Sequence, residues 1–250
     1  MRFAQNLQAQ REYYRAITEY LRALFYAEQS LGGAESDWID LAVLGIGRCY
    51  SAGGDAARAS EWLRNHIPQL HDQNIRDSAV ELLLRSYLQA KQGRRILDLA
   101  SRHDSTVSVP LVFQGLAHAQ LGRWDRAASI FESLAADSTY GRAAQTYLAV
   151  SREAEKATRK SPRLARILGV VPGLGYLYSG HKQTAIAAFL VNGVFAAATI
   201  QAFSNDQDIL GGFMTLFSVS WYAGSIYGSG KAAVRFNSAV QRRYWSQLVY

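Results

Sequence analysis

TAIAAFLVNGVFAAATIQAF, from Thr184 to Phe203, is twenty residues without a charge, and after Ser204-Asn205-Asp206-Gln207-Asp208 the chain is uncharged again from Ile209 to Gly230. About 20 apolar residues, each rising about 1.5 Å, make a helix that crosses a hydrocarbon layer of about 30 Å. Two such runs joined by a five-residue turn predict an antiparallel helical hairpin. The charges around it are segregated. Ten basic residues lie between Lys156 and the C-terminus, all outside the two runs on their shared side, and the two acids of that region, Asp206 and Asp208, sit in the turn. A charge at mid-bilayer costs about 2.5 to 3.5 kcal/mol on insertion scales, so membranes select charge-free runs of this length. A helix in a soluble core ordinarily keeps one wet face. The alternative is a pair of buried helices in a soluble all-α protein; abundant Ala, Gly and Ser, with Asn192 and Gln201 inside the first run, favour it.

The formal charge of +7 over 250 residues conceals two unlike halves. Residues 1–155 hold 17 basic and 18 acidic groups, net −1, whereas residues 156–250 hold 10 and 2, net +8. Basicity therefore belongs to the hydrophobic half, which points to anionic lipid rather than nucleic acid; Lys231, Arg235, Arg242 and Arg243 are the expected lipid contacts. Cys49 is the single cysteine, so no intrachain disulfide forms, and its apolar helical setting marks a buried inert thiol. No charged segment followed by an apolar core opens the chain, so no signal peptide is visible.

The first half reads as helical and repetitive. LGRWDRAASIFESL, from Leu121 to Leu134, with Gly115 seven residues before Gly122, resembles a tetratricopeptide repeat. That resemblance implies small residues where two helices cross, here Gly115 and Ala127, a turn glycine, here Gly122, and large packing residues, here Trp124 and Phe131. Further units read Gly47, Tyr50, Gly54, Ala59 and Leu63; Ala4, Leu7, Tyr13, Ala16, Tyr20 and Ala23, with Arg11 at the turn; and, more weakly, Ala79, Tyr87, Gly93 and Leu99. Turns at Arg11, Gly54, Gly93 and Gly122 are 43, 39 and 29 residues apart. Repeats bury their faces on one another, so four units form one degenerate solenoid. Counting back from Arg11 starts the first helix upstream of Met1, which fits either a short first helix or a removed leader. The stretch from Tyr140 to Lys160 reads as a capping helix ended by Ser161-Pro162. The expected domains are thus residues 1–160 and 161–250.

Between boundary and hairpin stands Pro172-Gly173-Leu174-Gly175-Tyr176-Leu177-Tyr178-Ser179-Gly180. This motif in residues 164–183, the spans 184–203 and 209–230, and the basic tail 231–250 resemble the C-terminal module of bacterial proteins that pair tetratricopeptide repeats with a two-transmembrane-helix domain. Tyr176 replaces the glutamine usual in their motif. The resemblance implies an all-α chain, a repeat solenoid followed by a transmembrane hairpin, with repeats outside the cytoplasm. Physically, the glycines permit positive φ or close approach, and Tyr176 and Tyr178 suit a headgroup interface, so Pro172, Gly173, Gly175, Tyr176, Tyr178 and Gly180 are the expected interface residues. Gly175 to Gly180 also begins like a phosphate-binding loop. That reading fails, because His181 and Lys182 occupy the Lys and Ser/Thr positions and no strand precedes.

Signals for catalysis, cofactors and metals are missing: His66, His71, His103, His118 and His181 show no ligand spacing, and no ionisable group lies inside the spans for a transport path. The expectation is a non-enzymatic, membrane-anchored scaffold or assembly factor that holds a protein partner in a helical-repeat groove, with the bilayer bound through residues 164–243. Carrying the repeat register over places Gln5, Arg48, Tyr87, Lys91 and Leu116 on that groove. The alternatives are an oligomeric channel-like or lipid-interacting unit regulated by its repeats, and a soluble adaptor. The basic mouth puts the repeats in the cytoplasm by the positive-inside rule, the resemblance puts them in the periplasm, and an upstream signal sequence would overrule charge bias. The expectation is a bacterial inner-membrane protein with periplasmic repeats.

Overall fold

A computed structural model describes residues 1–29, 36–102, 108–135 and 141–249; His103 and Tyr140 lie outside them. The described residues form helices joined by turns, with no strand among them. The chain divides into two compact units, Met1–Arg152 and Glu153–Tyr250. This division precedes the expected boundary at residue 160. Lys160 shows why: its backbone N–H and C=O both bond the Asn237 side-chain amide at 2.8 Å, and its Nζ lies 4.8 Å from the Tyr178 ring centroid. The residues just before Ser161-Pro162 therefore pack with the hydrophobic half.

The first unit contains α1 (Arg2–Ala9), α2 (Tyr13–Gln29), α3 (Ser36–Ala52), α4 (Ala56–His66), α5 (Gln73–Gln89), α6 (Gly93–Ser101), α7 (Leu111–Gln120) and α8 (Trp124–Leu134); α9 (Gly141–Lys156) runs across the division. From α1 to α8 each helix packs on the next, α4 and α5 being joined through a 3-10 turn at Ile67–Gln69; α3 also packs on α5 and α5 on α7.

One turn recurs four times. Arg11, Gly54, Lys91 and Gly122 adopt positive φ, and the helix that follows begins two residues later each time. The residue after each donates its N–H to the carbonyl five back: Glu12 to Leu7, Asp55 to Tyr50, Gln92 to Tyr87, Arg123 to His118. This left-handed cap satisfies the last carbonyls of a helix without further residues. The third turn is thus at Lys91, not Gly93, and the spacings become 43, 37 and 31 residues. Gly93 is a close-approach glycine instead. Its N–H donates to Gln120 Oε1 at 2.7 Å, and a Cβ there would stand 2.8 Å from that oxygen. Gln120 Nε2 donates in turn to the Leu88 carbonyl, so one side chain of α7 ties together the α5–α6 turn.

With the register corrected, packing repeats as well. Seven residues before the turn stand Ala4, Gly47, Leu84 and Gly115; nine after it stand Tyr20, Leu63, Ala100 and Phe131. A Cβ on Gly47 would meet Leu63 at 2.6 Å, and one on Gly115 would meet the Phe131 ring at 2.6 Å, so small faces large in the second and fourth units; Ala4 and Tyr20 keep that order of sizes in the first, and Leu84 and Ala100 reverse it in the third. Five residues after the turn, Ala16, Ala59, Ile96 and Ala127 are all fully buried. A lysine held at positive φ is strained by about 1 kcal/mol or more, only partly offset by the extra unfolded-state freedom of glycine. Lys91→Gly is therefore expected to stabilise the chain by about 0.5 to 1 kcal/mol in urea unfolding. A loss of stability would sink the assignment of Lys91 as the turn residue.

The second unit contains α10 (Pro162–Leu168), α11 (Leu174–Tyr178), α12 (Lys182–Ser204) and α13 (Asp208–Val249). The left-handed cap recurs at Gly180 and at Asp206, which closes the hairpin. The expected basic tail is not a separate element: α13 continues through it as one helix of 42 residues, about 60 Å long. Nothing between Lys231 and Val249 stops a helix, since Pro and Gly are absent there.

Candidate functional site

The first unit offers an exposed stripe. Gln5, Arg48 and Leu116 each lie six residues before a turn, and with the third turn at Lys91 the equivalent residue on α5 is Arg85 rather than Tyr87. Gln5, Arg48 and Arg85 are exposed. Leu116 is buried in the core and not on the stripe, and Tyr87 is 1% exposed, also in the core, with the Arg95 guanidinium 5.7 Å from its ring centroid. Tyr87 therefore serves packing rather than as a surface anchor. Lys91 is exposed, at the turn and not on a helix face. Arg85 pairs with Glu81 at 2.7 Å across one turn of α5. The sequence signal for Arg85 was present but hidden, because a lysine occupies the left-handed position that glycine marks in two of the other turns.

Cys49 is fully buried, and burial pushes its thiol up to about 11, so it stays protonated and unreactive near neutral pH. His66 stacks on Trp62 at 3.7 Å between ring centroids. Burial, then the nearby Arg123 and Arg126, lower the pKa of His118 and keep it neutral. His71 Nδ1 lies 3.5 Å from Asp40 Oδ1, and His181 precedes the first residue of α12. Among the described residues no three His, Cys, Asp or Glu side chains are placed to hold a metal ion.

In the second unit the glycine motif makes a three-helix crossing. Gly175 is buried, and a Cβ there would strike the Ala165 carbonyl of α10 and Ser229 of α13; one on Gly173 would strike the Ala185 carbonyl of α12. Ser179 Oγ donates to the Gly175 carbonyl at 2.8 Å. Tyr178 OH accepts the Ser161 N–H at 3.0 Å, while Tyr176 places its OH against Gly228, where any side chain would collide. Pro172 is half-buried and Gly180 takes φ 82° at the cap. These residues act first as a knot that seats the base of the hairpin.

The hairpin itself has two helices long and apolar enough to cross a membrane, Lys182–Ser204 and Asp208–Leu248, and 6% of the residues in the apolar window of each are buried. Phe195 packs edge-on to Phe217 at 5.0 Å and lies 6.1 Å from Trp221. Beside this cluster runs a groove of about 510 Å³, lined by Val191 and Ala188 on α12 and by Phe217, Trp221 and Gly224 on α13. The last α13 residue of its lining is Ser225; six residues further along the same helix, about 9 Å, stands Lys231, which with Arg166 flanks the Tyr227 ring, 5.4 and 5.7 Å from the centroid. Arg235, Arg242 and Arg243 follow along α13, all exposed. No family model, no curated protein and no solved structure matches the chain.

Proposed function

We propose that this chain is a membrane-anchored scaffold in which a degenerate tetratricopeptide-repeat solenoid holds a protein partner at the bilayer. The observation that carries the anchor is the outward face of the hairpin: Phe189, Val194, Ile200, Ile209, Phe213 and Leu216 are 62 to 82% exposed. Soluble monomers rarely leave such a continuous apolar surface to water, and a bilayer covers it without further protein. The four-fold recurrence of the turn and the matching crossings at Gly47 and Gly115, with α3 on α5 and α5 on α7, support the solenoid. We place the protein in a bacterial inner membrane with the repeats periplasmic, on the strength of the resemblance.

The partner face in this reading is the stripe Gln5, Arg48 and Arg85, in which Arg48 supplies the positive charge and Arg85 is paired with Glu81, inside a half of net charge −1. Arginine is the cation best suited to anchor an acidic partner, because its planar fork bonds carboxylates at two points. Affinity purification of the full chain from detergent-solubilised membranes is expected to retrieve a second protein. Arg48→Glu with Arg85→Glu should lower its recovery by about tenfold or more, the equivalent of about 1.4 kcal/mol, while leaving the membrane fraction unchanged. Undiminished recovery would move the interface elsewhere. The second reading, an oligomeric membrane unit, is favoured by Gly193, Gly212 and Gly224, which stand in open space on the hairpin surface. Purified complexes holding only copies of this chain would establish it instead.

A further inference from the structure

We propose that the hairpin unit is a binding site for one anionic phospholipid, with an acyl chain in the groove beside Trp221 and the phosphate on Arg166 and Lys231. The inference rests on the reading of the hairpin as membrane-embedded and names a lipid class and a place for it. The groove supplies the chain site. Val191 and Ala188 line it from α12 and Phe217 and Trp221 from α13, and a Cβ on Gly224 would meet nothing within 4 Å. Those α13 residues recur at helical spacing, and the same stripe continues through Tyr227 to Lys231. Trp221 and Lys231 are ten residues apart on one unbroken helix, about 15 Å along its axis. A lipid phosphate at Lys231 therefore brings the middle of its chain, not its glycerol, to Trp221.

The head site is supplied by charge without a partner. Neither Arg166 nor Lys231 is paired with a carboxylate, although both are exposed and held at one ring. Arg166 is further positioned by its stem, which packs on Gly230 where a Cβ would stand 2.8 Å from its Cγ. Two unpaired cations held at one ring, about 9 Å along α13 beyond the last residue lining an apolar groove, match an anionic headgroup with its tail. A second copy of the chain fits less well. Two copies inserted the same way would bring their basic ends together, and the hydrophobic half already carries a net charge of +8.

The test uses the full chain reconstituted in phosphatidylcholine vesicles with a minor share of phosphatidylglycerol, the bromine being carried at mid-chain on one lipid or the other at equal total content. Emission from Trp221 is taken as the difference between wild type and Trp221→Phe. Each cation near the surface favours anionic lipid by about fivefold, so bromine on phosphatidylglycerol is expected to quench Trp221 well beyond its share, with an enrichment on the order of tenfold or more. Arg166→Gln with Lys231→Gln should abolish that excess. Gly224→Leu, which fills the groove, should abolish it with both cations in place. Arg235→Gln, Arg242→Gln and Arg243→Gln together should preserve it, which separates a built site from diffuse attraction. Equal quenching from the two lipids in wild type overturns the proposal, as does an excess that survives either the double change or Gly224→Leu. Floating protein whose Trp221 neither lipid quenches overturns it in favour of a protein-covered groove. Protein that does not float with the vesicles at all overturns the membrane reading, and this proposal with it.

Discussion

Phe195→Arg is expected to shift the chain from the membrane fraction to the supernatant after a carbonate wash. An arginine near the centre of a spanning helix costs about 2.5 to 3.5 kcal/mol to insert, and the phenylalanine it replaces favours insertion by about 0.5 kcal/mol. Packing adds to this. Phe195 meets Phe217 at 5.0 Å and Trp221 at 6.1 Å, and aromatic pairs contribute about 0.5 to 1.5 kcal/mol beyond their area. Phe195→Leu removes the rings but adds no charge, so it should remain in the membrane and lose only hairpin stability. Wild-type chain that stays in solution without detergent would sink the membrane reading, and equal behaviour of the two variants would show that charge is not the cause.

Asp40→Ala is expected to destabilise the first unit by about 3 kcal/mol. Asp40 lies on α3 and is fully buried, and its Oδ2 accepts the backbone N–H of both His71 and Asp72 at 2.7 Å. Asp72 then caps α5 through the N–H of Ile75 at 2.8 Å. One carboxylate on α3 therefore fixes where α5 starts. Hydrogen bonds to a charged acceptor contribute about 1.5 to 3 kcal/mol each, and a lost acceptor leaves the donors without compensation. Asp40→Asn keeps an acceptor oxygen of the same shape, so it should fall between wild type and Ala in urea unfolding. An Ala variant as stable as wild type would mean that His71 and Asp72 find other acceptors when the chain relaxes.

Asp40 also marks the limit of what the residues alone disclose. Its partners lie more than thirty positions away, and nothing near it distinguishes it from a solvated acid; only the approach of the chain at residues 71 and 72 buries it. Arg85 is a second case. The repeat reading named Ala79 and Tyr87, which α5 contains, but the register of its exposed face depends on where the helix stops, and that stop is a lysine in the left-handed region. Sequence rules favour glycine there, and Gly93 stands two residues away, where Gln120 demands it for closeness rather than for conformation. Two residues of slip rotate a helix by more than half a turn, enough to exchange core Tyr87 for exposed Arg85.

What the sequence determined by itself is the part governed by composition over long windows. The two charge-free runs, the five-residue turn and the one-sided basic residues specify two apolar helices of α12 and α13 without reference to any other residue, because a helix of that length satisfies its own backbone and needs only an apolar surround. The small residues at Gly47, Gly115 and Ala127 likewise announce close crossings. Tertiary structure decided what depends on contacts between distant segments: that Lys160 belongs with Asn237, that Gly175 serves a three-helix crossing, and that Arg166 and Lys231 share one tyrosine ring. Each of these places residues tens of positions apart within a few ångströms, and local periodicity carries no information about which remote surface will arrive.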